Sequence, residues 1–64
     1  MIAYLRFDEL ESKSKTVEKV SHVLCRVQDV KTFDGEPYEV YHVDCIFADS
    51  HVESFGDVLD VMIE

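Results

Sequence analysis

The second half of this 64-residue chain lacks positive charge, since no lysine or arginine occurs after Lys31. All six basic residues lie in residues 1–33 together with five acidic ones, whereas residues 34–64 carry nine carboxylates. The net charge is therefore 6 − 14 = −8. Because like charges repel, we expect no direct binding of nucleic-acid phosphates by the second half, and a basic protein surface is its natural partner.

Other scarcities limit the class of protein. Pro37, Gly35 and Gly56 are the only proline and glycines, so most turns should lie near them. No apolar run approaches the roughly 18 residues of a membrane span. Acidic residues among the first ten positions interrupt any secretory signal, so we expect a cytoplasmic protein. The hydrophobic content of 47% predicts that residues 1–64 fold as a single domain.

A central hairpin is the main structural prediction. Residues 34–36 (Asp-Gly-Glu) are a hairpin signal. With a three-residue loop there, the residue numbers of each directly opposed pair add up to 70. Directly opposed side chains are the unit of sheet stabilisation, so this register favours strands at residues 22–33 and 37–48. The decisive pairs are Lys31–Glu39, Arg26–Asp44 and Cys25–Cys45. The expected core face is Val23, Cys25, Val27, Tyr41, Val43, Cys45 and Phe47.

The remaining segments are expected to form short strands around this hairpin. Residues 2–7 alternate in polarity, and residues 52–55 and 58–63 are apolar enough for two further strands. Residues 8–15 are read as a loop or a single helical turn, and residues 48–51 as a turn. About five strands predict a mainly β fold, which is a small curled antiparallel sheet or a partly closed barrel.

An α-helix is the alternative for residues 14–31. Val17, Val20, Leu24 and Val27 recur at steps of three and four, which is the spacing of one helix face. The high valine content counts against a helix, because β-branched side chains lose rotamer freedom there. This alternative is an α+β fold, in which the helix packs on a three-stranded antiparallel sheet.

We expect no enzymatic activity, cofactor or metal. Two His-Val-x-Cys pieces bring His22 near Cys25 and His42 near Cys45, but strand residues three apart point to opposite faces. Two reduced, buried thiols are the default, with a cross-strand disulfide or a zinc site as alternatives. The Asp-Ser-His run at residues 49–51 cannot form a catalytic triad, because adjacent side chains diverge.

The carboxylates themselves are the candidate binding surface. Strand residues two apart lie on one face about 6.6 Å apart, and duplex DNA presents one charge per roughly 1.7 Å of its axis. A sheet edge with its turns could therefore present negative charge at phosphate-like separations, and a neighbouring tyrosine could anchor the contact. The candidate partner-binding residues are Glu36, Tyr38, Glu39, Tyr41, Asp44, Asp49, Glu53, Asp57 and Asp60. Arg26 is expected to neutralise Asp44, and Lys31 to neutralise Glu39.

In size and charge the chain resembles phage-encoded inhibitors such as anti-CRISPR proteins and the uracil-DNA glycosylase inhibitors. This resemblance implies a small acidic decoy of the DNA-mimic type, which occupies the basic nucleic-acid-binding surface of a partner protein. No direct contact with nucleic acid or membrane is expected. The alternative is a structural or assembly subunit, in which the apolar residues 58–63 pair with a larger partner or with a second copy as a homodimer.

Overall fold

The computed structural model describes residues 1–7 and 13–64, which form a single antiparallel sheet. Its strands are β1 (Ala3–Phe7), β2 (Ser14–Val17), β3 (Val20–Phe33), β4 (Glu36–Phe47) and β5 (Val52–Ile63). They lie in the order β2-β1-β5-β4-β3, and the sheet curls without closing. The mainly β fold with a central hairpin is therefore confirmed. The alternative helix over residues 14–31 is wrong, because these residues form β2 and most of β3.

The strand boundaries differ from expectation in two places. The expected strands at residues 52–55 and 58–63 are one continuous strand, β5, which carries an irregularity near Gly56. Residues 8–12 lie outside the described residues, so the loop or helical turn expected there is not addressed. The last two residues of the predicted loop or helical turn (residues 8–15), Ser14 and Lys15, begin β2 instead. The turn expected at residues 48–51 is confirmed, since Ser50 N–H donates to the Phe47 carbonyl at 2.9 Å.

The turn between β3 and β4 sets a different register from the predicted one. Asp34 and Gly35 both have positive φ, at 53° and 80°, which is the signature of a two-residue type I′ turn. This turn makes Phe33 the partner of Glu36. The three-residue loop is therefore wrong, and none of the three decisive pairs forms. The observed pairs are Lys31–Tyr38, Val30–Glu39, Arg26–His42, Leu24–Asp44, Cys25–Val43 and Val23–Cys45.

Two bulges bend the sheet at one level on either side of β4. In β3 the extra residue is Gln28, and in β5 the pair Gly56-Asp57 lies opposite a single β4 residue. The Gln28 side chain spans β4, because its Oε1 accepts the Asp57 N–H and its Nε2 donates to Asp57 Oδ1, both at 3.0 Å. Gly56 leaves room for this contact, since a Cβ there would lie 2.9 Å from Gln28 Oε1. Bulges increase local twist, so the linked pair helps the sheet to curl.

The first and last strands of the sheet meet at one corner. β2 and β3 are opposite edges of the sheet, yet only Glu18 and Lys19 separate them in the chain. The Met1 ammonium group donates to the Val20 carbonyl at 2.8 Å, and Val20 N–H donates to the Met1 carbonyl at 2.9 Å. Lys19 turns the chain with a φ of 61°. The sheet is curled because one segment of chain serves both of its edges.

The core lies on the face that the curl encloses. Its buried members are Ala3, Leu5, Val17, Val20, Val43, Cys45 and Val58. The predicted core face is correct for Val43 and Cys45, and Val23, Tyr41 and Phe47 pack partly buried against them. It is wrong for Cys25 and Val27, which are exposed. Both lie on β3, and as an edge strand β3 has a neighbour on one side only.

Replacing Gly35 with alanine should lower the free energy of unfolding by about 1 kcal/mol, because an L side chain is disfavoured at positive φ. No atom lies within 4 Å of the added Cβ, so the loss would come from backbone conformation alone. Urea unfolding of G35A measures it. Asparagine tolerates the left-handed region better, so G35N is the matched control and should lose less. Equal losses in G35A and G35N would contradict the assigned turn.

Candidate interaction surface

The outer half of the β3–β4 hairpin extends beyond the rest of the sheet. Pairing between β4 and β5 ends at Tyr41 and Val58, whereas pairing between β3 and β4 continues to Phe33 and Glu36. We call residues 29–40 the hairpin arm. The molecule measures 43 × 20 × 15 Å, and these elongated proportions match a sheet whose longest hairpin reaches past its neighbours.

Two predicted site residues, Glu36 and Glu39, lie on the hairpin arm with apolar cross-strand partners. Both are exposed, and they face Phe33 and Val30 respectively. The expected pairing of Lys31 with Glu39 does not form, because the two-residue turn places Lys31 opposite Tyr38. The Lys31 ammonium group lies instead 3.5 Å from Asp57 Oδ1 in β5. The register therefore gives neither glutamate a cation as its cross-strand partner.

The hairpin arm carries negative charge on both of its faces. Glu36 and Glu39 are three positions apart in one strand, so their side chains project to opposite faces. Asp29 and Asp34 add two further exposed carboxylates, and Lys31 is the only base in residues 29–40. The formal charge of the arm is therefore 1 − 4 = −3.

Asp44 is held in a polar network inside the sheet. Its Oδ1 accepts a hydrogen bond from Ser54 Oγ at 2.6 Å and contacts His42 Nε2 at 3.0 Å. The hydroxyl of Ser54 is the main cause that lowers the pKa of Asp44, His42 contributes less, and partial burial opposes both. Arg26 was expected to neutralise Asp44, but it lies opposite His42 and adds the smallest of these effects.

Asp57 and Asp60 are also committed to contacts within the chain. Asp60 accepts a hydrogen bond from Arg6 Nε at 2.8 Å, which links β1 to β5. Asp57 has a positive φ of 54° and is bound by Gln28 and Lys31. Both carboxylates reach solvent, but neighbouring donors offset their charge.

Asp49 and Glu53 lie far from the hairpin arm. Asp49 is in the turn at the other end of β4, and eleven steps of about 3.3 Å make that strand roughly 36 Å long. Its Oδ1 accepts the His51 N–H at 3.0 Å, which stabilises the turn. Glu53 is half-buried opposite Cys45. The nine predicted residues therefore do not form one surface.

The two tyrosines lie on opposite faces of β4, because they are three positions apart in one strand, and both are half-buried. Tyr41 packs against the core, so it contributes to the fold first. Tyr38 lies on the hairpin arm opposite Lys31.

Four exposed apolar residues of β3 were not among the predicted site residues. Leu24, Val27, Val30 and Phe33 of β3 are 58%, 50%, 57% and 74% exposed. Their spacing of three is a signal in the sequence, and at residues 24 and 27 it is part of the pattern that supports the helix alternative. On an edge strand with a bulge at Gln28, the same spacing marks side chains that the sheet leaves uncovered.

The two cysteines have different surroundings. Cys25 is exposed opposite Val43, and Cys45 is buried opposite Val23. The expectation that they oppose each other, and that both are buried, is wrong because the register differs. Burial raises the pKa of the Cys45 thiol, and the nearby carboxylates of Glu53 and Asp44 raise it further.

Ser54→Ala should raise the pKa of Asp44 towards its ordinary value, because it removes the hydrogen bond that chiefly lowers it. A lowered pKa contributes stability above the unfolded-state value, and this contribution is lost as pH falls through the folded-state pKa. The stability of S54A should thus fall less on acidification. NMR titration of the Asp44 carboxyl carbon measures the shift, with S21A as control. An unchanged Asp44 titration in S54A would contradict this assignment.

A thiol reagent should modify Cys25 quickly in the folded protein and Cys45 only on unfolding. The thiolate is the reactive species, and Cys45 is both inaccessible and raised in pKa. Stopped-flow measurement with a chromogenic disulfide reagent separates the two rates. C25S should abolish the fast phase, and C45S should retain it. A fast phase that persists in C25S would show that Cys45 is accessible.

Comparison of the chain with protein-family models, curated proteins and solved structures finds no match. Among residues 1–7 and 13–64, no three His, Cys, Asp or Glu side chains cluster as a metal site. These same residues include no helix long and apolar enough to span a membrane. The chain's own surface is therefore the basis for any functional inference.

Proposed function

We propose that this chain is a small acidic protein-binding module without enzymatic activity, of the inhibitor or decoy type. It would act in the cytoplasm by placing its hairpin arm in the basic nucleic-acid-binding surface of a partner protein. The observation that carries this proposal is the position of Glu36 and Glu39. They are exposed on opposite faces of the arm, and each lies opposite an apolar residue.

The shape of the hairpin arm favours a cleft over a flat surface. A two-stranded ribbon is only about 5 Å between strand axes, and it exposes both faces where no further strand flanks it. A flat basic surface would meet one face of the arm and leave the other carboxylate in solvent. A cleft with basic walls, which is the form of many sites that hold a nucleic-acid strand, would meet both.

The remaining acidic residues would act at longer range. Asp44, Asp57 and Asp60 are engaged by Ser54, Gln28 and Arg6, so they are weaker candidates for direct contact. Their charges still contribute to the total of −8, which would steer the chain towards a basic partner. Because the Debye length is about 8 Å at physiological ionic strength, salt should weaken both steering and binding.

An assembly role through residues 58–63 is the second candidate. Met62 and Ile63 are 68% and 46% exposed, which favours a side-chain contact there. Backbone pairing is also open at this place, because β5 pairs with β4 only as far as Val58, and among the described residues its remainder pairs with β1 alone. Such a contact would be apolar and nearly independent of salt, so its response to ionic strength separates it from the decoy proposal.

Neutralising the hairpin arm with E36Q and E39Q together should weaken partner binding about tenfold, as expected for two surface ion pairs worth about 1.4 kcal/mol in total. The matched control is E18Q with E64Q, which removes two exposed carboxylates outside the arm and changes the net charge equally. Calorimetric titration against the captured partner measures both. Equal weakening in the two double variants would mean that only net charge matters.

The partner itself is found by affinity capture from cell extract, with elution by a salt gradient and mass spectrometry. The proposal requires nucleic-acid-binding proteins that elute at moderate salt, that added DNA displaces, and that E36Q/E39Q retains poorly. A partner indifferent to salt and DNA would instead direct attention to Met62 and Ile63. Met62→Lys, which alters an exposed side chain, should then disrupt capture selectively.

A further inference from the structure

The outer edge of β3 is a second interaction surface, separate from the carboxylates of the hairpin arm. β3 is the last strand in the sheet order, so within residues 1–7 and 13–64 only β4 pairs with its length beyond Val20. It is also the longest strand, with 14 residues. An edge strand presents a row of unpaired backbone groups, which another extended strand can complete.

Several solvent-exposed side chains of this edge strand are large and apolar. Leu24, Val27, Val30 and Phe33 all lie on β3, and each is at least half exposed. Proteins normally protect long edge strands with charges, prolines or bulges. Here the protection consists of Arg26, Lys31 and the bulge at Gln28, and four large apolar side chains remain uncovered.

Two observations on β4 show which residues of β3 point their backbone N–H and carbonyl groups outward, away from β4. Pro37 has no N–H, so the Thr32–Pro37 pair cannot be a hydrogen-bonded pair. Phe47 directs its N–H and carbonyl to His51 and Ser50, on the β5 side. The odd-numbered residues of β4 therefore turn away from β3, and their partners in β3 turn outward. The outward-facing residues beyond Val20 are Val23, Cys25, Val27, Val30 and Thr32. The Val30 N–H donates to Asp29 Oδ1 at 2.8 Å, so pairing with a second copy would exchange this local hydrogen bond for one across the strands.

We propose that β3 pairs antiparallel with β3 of a second copy, about a two-fold axis between Val27 and Gln28. In this register opposed positions sum to 55, so Cys25 meets Val30 of the second copy and Val23 meets its Thr32. Val23, Cys25, Val30 and Thr32 then meet outward-facing partners, as an antiparallel ladder requires. Val27 meets Gln28 of the second copy at the axis, where the bulge interrupts the ladder. The bulge at Gln28 creates this match, because it shifts the alternation of β3 by one residue.

Charge complementarity supports the same register. Arg26 and Asp29 lie on one face of β3, since their β4 partners are His42 and Val40, which are two positions apart. The proposed register places Arg26 opposite Asp29 of the second copy. The two-fold axis generates the equivalent pair between Asp29 and Arg26 of the second copy. Non-hydrogen-bonded pairs bring side chains closest, and opposite charges there are favourable. Two symmetric ion pairs would therefore flank the axis.

The choice of a second copy also fits the distribution of charge. Residues 20–33 contain Arg26, Lys31 and Asp29, a formal charge of 2 − 1 = +1, whereas the rest of the chain carries −9. Two copies of a chain with a net charge of −8 repel each other least where their basic residues meet. Pairing there would join two five-stranded sheets into one and cover both sets of exposed apolar residues.

Sedimentation equilibrium of the whole chain tests the association, and a charge swap tests the register. The wild type should dimerise, and more strongly at higher salt, where net repulsion is screened. R26D and D29R should each weaken the dimer roughly tenfold or more, because each places two like-charge pairs at the axis. R26D/D29R should restore it, because it recreates both pairs in reverse.

The controls are K15D and D49R, which make the same reversals on exposed residues away from β3 and should dimerise like the wild type. Circular dichroism of each variant checks that it folds. A wild type that stays monomeric at millimolar concentration overturns the proposal. Single reversals without effect, or a double variant that remains as weak as the single ones, overturn it equally. Binding through Glu36 and Glu39 does not depend on this edge, so the two proposals fail separately.

Discussion

The two-residue turn at Asp34-Gly35 fixes the register on which the rest of the structure depends. It starts the longest strand pairing in the sheet, and together with the bulges in β3 it decides which residues of β3 and β4 face each other. A loop one residue longer would put the cation of Lys31 opposite Glu39. The observed turn puts Val30 there instead, and the turn and the bulge at Gln28 together put Leu24 opposite Asp44. Neither Glu36 nor Glu39 therefore has a cation as its cross-strand partner.

The bulge at Gln28 is the second determinant, because it acts on three strands. It shifts the alternation of β3, and its side chain crosses β4 to bind the bulge of β5 at Asp57. The contact needs Gly56, where any side chain would crowd Gln28. One polar side chain thus ties the end of the central sheet to the start of the hairpin arm. The same shift aligns the outward-facing residues on either side of it.

The carboxylates of the second half divide into two groups with different roles. Asp44, Asp57 and Asp60 are bound by a hydroxyl, an amide and a guanidinium group, and they help to hold β4 and β5 in place. Glu36 and Glu39 face apolar partners and reach solvent on both faces of a narrow ribbon. The first group is explained by the fold, whereas the second has no evident structural role and is the basis of the proposed function.

The sequence by itself determined the β character, the position of the hairpin and the buried positions Val43 and Cys45, because these follow from local patterning and turn chemistry. It could not determine the register, since Asp-Gly-Glu suits a loop of either two or three residues, and one residue of slip changes every pair. Nor could it show that Arg6 binds Asp60, 54 positions away, or that Gln28 crosses a strand. Those contacts exist only once the order β2-β1-β5-β4-β3 brings distant segments together, and that order is decided by how the curled sheet encloses its core.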